Sequence, residues 1–127
     1  MSDILFQVTI PGRAYVKKNG ASMVGNGKFK KLIYTPQYQA WEKTAILQVR
    51  QKRIQSTISF PINLKVIFYF DNRMAEADLS ALYEGIQDVL QSEGVIANDR
   101  LIVGHNGSTK VFGEGEPRME VEITAKG

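Results

Sequence analysis

Five carboxylates in the second half of the chain, Glu76, Asp78, Glu84, Asp88 and Asp99, have the types and spacing best suited to chemistry. Two or three hard oxygen donors of this kind, brought to one point, hold Mg²⁺ or Mn²⁺ while leaving water positions open. An ion held in this way deprotonates water and neutralises charge developing on phosphorus, as phosphodiester hydrolysis requires. Arg13, Lys17, Lys18, Lys28, Lys30 and Lys31 form a cationic stretch in the first half, suited to gripping phosphates. Other chemistries fall away. There is no cysteine, which removes thiolate nucleophiles, disulfides and zinc knuckles together. The sole histidine, His105, lies between Gly104 and Asn106-Gly107 and reads as a turn residue. No phosphate-binding P-loop, dinucleotide glycine fingerprint or serine elbow is present.

These residues need a scaffold, and the hydrophobic periodicity describes one. Residues 4–10, ILFQVTI, read as a strand ended by Pro11-Gly12. Residues 13–33 lack either period and alternate glycines with lysines, which describes a mobile basic loop or a loosely held hairpin. Thr35-Pro36 is a helix-start signal, and Tyr38, Trp41, Ala45, Ile46 and Val49 then follow on one face. Arg50, Lys52 and Arg53 crowd that helix's last turn, where its dipole favours cations. Residues 62–70 alternate cleanly and form the strongest strand signal in the chain. Asp78 stands at an N-cap position, and the stripe from Leu79 to Leu90 stops at Gly94. Asn98-Asp99 reads as a turn within the mostly apolar 95–103, and 118–125 alternates again as a strand. The expected architecture is α/β: one domain over 1–127, with a small mixed sheet of about four strands and two packed helices.

The length of 127 residues supports one compact core, and 43% hydrophobic with 23% charged residues is a globular balance. The net charge of +3 conceals an asymmetry: residues 1–53 carry +8 and residues 54–127 carry −5. That separation suits a polyanion-binding surface beside a carboxylate-rich, cation-holding region. No apolar run approaches a membrane span, and MSDILFQVTI lacks the features of a signal peptide, so a cytoplasmic location is expected. Tyr15, Phe29 and Tyr34 interleave with the lysines as candidates for wedging against bases, with core packing as the alternative.

The segments PGRAYVKK, YTPQYQAWEKTA, DLSALYEGIQDVL and GVIANDRLI occur in this order over nearly the whole chain. Together they resemble the RusA-type Holliday-junction resolvases of bacteriophages and prophages. The resemblance places Asp78, Asp88 and Asp99 on acidic positions of the family pattern. It also exposes departures: Ser80 replaces an aspartate, Ala81 an asparagine, Glu84 a lysine and Asn98 an acid. It implies a homodimer, one active site per subunit, cutting four-way DNA with Mg²⁺ or Mn²⁺. Asp78 and Asp99 would ligate the ion, Glu76 or Glu84 would complete its shell, and Asp88 would orient or assist. A different reading keeps the fold and binds junctions without cutting them. A third, a protein-interaction domain, requires the basic half to be incidental.

Overall fold

The computed structural model describes residues 3–15, 21–24, 31–52, 54–71 and 79–126, with side chains omitted for 21–24 and 31–33. The strands are β1 (Ile4–Pro11), β2 (Ala21–Val24), β3 (Lys31–Tyr34), β4 (Ile62–Phe70), β5 (Ile102–Gly104), β6 (Thr109–Phe112) and β7 (Arg118–Ala125). The helices are α1 (Pro36–Gln51) and α2 (Leu79–Ser92), and a 3-10 turn covers Asp99–Leu101. β4 sits at the centre because its alternation is perfect: Ile62, Leu64, Val66, Phe68 and Phe70 are all buried, and the residues between them are half-exposed. β7 pairs antiparallel with β4 on one side and with β1 beyond it. On the other side, β5 and β6 both run parallel to β4, so one edge position is shared by two short strands. The mixed α/β sheet thus has five strands in four positions. β2 and β3 pair with each other as a separate antiparallel ribbon, which realises the hairpin alternative over part of residues 13–33 rather than an uninterrupted loop.

The break in the outer edge is filled by side chains. Asn63 Oδ1 accepts from the Asn106 amide at 2.9 Å, and its Nδ2 donates to the Asn106 carbonyl at 3.1 Å. Ser108 Oγ accepts from Val66 N at 2.9 Å and donates to the Leu64 carbonyl at 3.4 Å. Backbone groups of β4 and of the gap are thereby satisfied without a continuous strand beside them.

Both helices cover the inner face of the sheet. Thr35 Oγ1 accepts from Tyr38 N at 3.3 Å, and Pro36 follows it, as the helix-start signal requires. Tyr38, Trp41, Ala45 and Val49 are buried. α2 buries Leu82, Tyr83, Gly85, Ile86, Val89 and Leu90, and ends where Gly94 takes φ +77°, which lets Val95 N reach the Leu90 carbonyl at 2.9 Å. The two helices meet at Gly85. A Cβ there would lie 3.0 Å from Trp41 Cζ3 and from the Tyr38 hydroxyl, and 3.2 Å from Trp41 Cη2. Gly85→Val is therefore expected to destabilise the fold by about 1–3 kcal/mol despite valine's better helix propensity. A lowered urea midpoint at unchanged m-value is the measurement.

Candidate functional site

Ser80, Glu84 and Asp88 follow one another down a single ridge of α2, because residues four apart stack on a helix. Ser80 and Glu84 are exposed and Asp88 is half-buried. Facing this ridge across Gly85 is the phenol of Tyr38, fully buried, with no hydrogen-bond partner for its hydroxyl among the described residues. Burial pushes the Tyr38 hydroxyl well above the usual phenol range, and Glu42, Asp88, Tyr34 and Glu84 add to the shift. The hydroxyl therefore stays neutral, close enough to Glu42, Asp88 and Glu84 to feel their charge.

Asp99 opens the 3-10 turn with its carboxylate exposed. Its backbone N–H donates to Gln91 Oε1 at 2.8 Å, which ties the turn to the last turns of α2. Asn98 caps the turn: its Oδ1 accepts from Arg100 N at 2.8 Å and from Arg100 Nε at 3.3 Å. Gln91 lies one turn beyond Asp88 and twelve residues beyond Leu79, or about 18 Å along the axis from the helix start. Asp99 is thus held near the Asp88 end of α2. Asp78 and Glu76 lie outside the described residues. Among the described residues, no three His, Cys, Asp or Glu side chains gather closely enough to hold a metal ion. Asp88, Asp99 and Glu84 by themselves therefore do not complete a divalent-cation site.

Of the cationic candidates, Arg13 is exposed, its guanidinium 5.3 Å from the Tyr15 ring centroid and 5.9 Å from that of Phe70. Lys31 opens β3, and Lys17, Lys18, Lys28 and Lys30 lie outside the described residues, as do Phe29 and Arg53. Arg50 is bound to Glu93 in a two-pronged pair, at 2.9 Å from Nε and 3.1 Å from Nη2. That hydrogen bond raises the guanidinium's pKa and assigns Arg50 a structural partner. Tyr34 packs on Tyr38 with ring centroids 5.2 Å apart, so it joins the core margin rather than projecting as a wedge.

His105 does more than turn the chain. Its ring stacks on Tyr83 of α2, with centroids 4.0 Å apart and planes at 22°, and its Nε2 is 3.0 Å from Gln87 Nε2. In the neutral ring, the Gln87 amide donates to that nitrogen. Burial lowers the His105 pKa.

The profile of the family described as endodeoxyribonuclease RusA matches residues 7–124. The chain belongs to the RusA family. A protein named crossover junction endodeoxyribonuclease RusA, from Aquifex aeolicus (strain VF5), is 29% identical over 72 residues. That similarity covers 57% of this chain and 56% of the Aquifex protein, so it spans about half the length of the relative. Within this RusA-family chain, sequence reasoning missed three couplings: Gln91 to Asp99, Gln87 and Tyr83 to His105, and Glu93 to Arg50. All join α2 or its end to distant segments, and no local pattern signals them. The same holds for the Tyr38 hydroxyl, which has no partner among the described residues, since the helical stripe marks that residue only as core.

Because the folded-state pKa of His105 is lowered, the unfolded chain binds its proton more readily, and stability rises with pH through this group. The contribution is complete above the ordinary histidine value of about 6.5 and is lost as pH falls through the lowered folded value. Between pH 7.5 and pH 5, the Tm of the unmodified protein is expected to fall more steeply than that of His105→Gln. Parallel Tm profiles would place the pH dependence on other groups.

Proposed function

We propose that this chain is a structure-selective endodeoxyribonuclease that resolves four-way and other branched DNA. The observation that carries the reading is the RusA-family match over residues 7–124, on a chain whose first 53 residues hold a charge of +8. Arg13, Lys17, Lys18, Lys28, Lys30 and Lys31 grip phosphates in this scheme, so affinity is sequence-tolerant and falls steeply with salt. Asp78, Asp99 and Glu76 bind Mg²⁺ or Mn²⁺, which supplies a Lewis acid beside the scissile phosphate. Asp88 and Glu84 orient groups around that centre. The exposed Asp99 carboxylate, on a capped turn tied to Gln91, supports this assignment because a ligand must be held still while remaining accessible.

The chain acts as a homodimer with one active site per subunit, matching the symmetry of two cuts in a four-way junction. Among the described residues no helix is long and apolar enough to cross a membrane, and the working location is the cytoplasm, with access to DNA.

A second reading is favoured by specific residues. Ser80, Ala81, Glu84 and Asn98 replace polar or charged groups of the family pattern, and the Asn98 side-chain oxygen is already engaged by Arg100. On that reading the chain binds junctions without cutting them.

Cleavage of a synthetic four-way junction in Mg²⁺ or Mn²⁺, beside a gel shift in EDTA, separates the two. The nuclease reading expects symmetric cutting by the unmodified chain. It also expects a loss greater than about 100-fold in Asp78→Asn and in Asp99→Asn, because losing a partner that merely supports a ligand already reaches that scale. The EDTA gel shift should persist in both variants. A shift without any cutting by the unmodified chain selects the binding module.

A further inference from the structure

An open cleft of about 350 Å³ lies between the turn after β1 and the outer side of α1. Trp41, Ala40 and Tyr15 line it, and Arg13, Gln37 and Thr44 bring polar groups to it. Trp41 separates the cleft from α2. The benzo edge of its indole lies against Gly85. A largely apolar recess lined by Trp41 and Tyr15 and rimmed by the Arg13 guanidinium fits a flat heterocycle attached to a phosphate. The exposed Arg13 rims the cleft within the half of the chain that carries +8, so the cleft's occupant is expected to belong to a polyanion.

We infer that this cleft receives one unstacked nucleobase of the bound DNA. The inference rests on the DNA-binding reading above and deepens it: the cleft supplies base contact, whereas the lysines supply phosphate contact. The base lies against Tyr15 and Trp41. Arg13 holds the adjoining phosphate, and Gln37 meets the base edge. Four-way junctions and forks present such bases at the branch point, where stacking is interrupted, so the cleft favours branched over continuous duplex DNA.

Trp41 is the only tryptophan in the chain, so its fluorescence reports on the cleft. The experiment titrates the full chain, in EDTA and low salt, with a short oligothymidylate and with an abasic oligomer of equal length. The expected result is quenching by the base-bearing strand alone, with affinity on the order of ten-fold tighter than for the abasic strand. Ala40→Leu fills the cleft from an exposed helical position with a strong helix former, and is expected to abolish both differences while retaining abasic binding and an unchanged Tm. Equal binding and equal quenching by the two strands overturn the base site and leave the DNA-binding reading standing. Differences that persist in Ala40→Leu also overturn it. Failure of either strand and of a four-way junction to bind overturns both readings.

Discussion

The inner face of β4 sets the terms for the rest of the molecule. Five large apolar side chains project from one side of a nine-residue strand, and each contributes about 1.5–3 kcal/mol when withdrawn from water. Covering them takes two helices side by side, and α1 and α2 can lie close enough only because Gly85 has no side chain where Trp41 and Tyr38 arrive. The opposite face of the sheet is left to Gln7, Thr9, Lys65, Glu120 and Glu122, which line a shallow polar recess. Hydrophobic cover is thus one-sided, and the outward surfaces of the helices are free to carry charge.

That freedom is used unevenly. α2 places Glu84 and Asp88 along the ridge beside α1, and its far end anchors the Asp99 turn through Gln91. α1 offers Trp41 and Ala40 to a cleft shared with Arg13 and Tyr15. The indole of Trp41 therefore has two neighbourhoods: an acidic helix on one edge, and a recess rimmed by a cation near the other.

Much of this order can be read from local pattern. Thr35-Pro36, the alternation of 62–70, the α2 stripe and the Gly94 stop all appear where their chemistry requires them, because each depends on a few neighbouring residues. The split edge could not be read in this way. β5 and β6 look like separate short strands, and only the amide of Asn63 and the hydroxyl of Ser108, more than forty residues apart in sequence, join them into one side of the sheet. Arg50 likewise reads as a helix-end cation until Glu93 is placed opposite it. For the candidate site, the sequence identified Asp88 and Asp99 by type, but the tether that puts both near one end of α2 arises from tertiary packing.

The interrupted edge has a consequence for how the protein behaves in a crowded solution. A continuous open border would offer a long row of unsatisfied amides and carbonyls to any extended polypeptide, which is the starting point for fibrous assembly. Here an incoming segment would find three residues of β5, then a stretch bent away and stitched inward, then four residues of β6. Neither piece is long enough to template a growing ribbon, so this flank of the sheet is blunted against self-association by its own discontinuity.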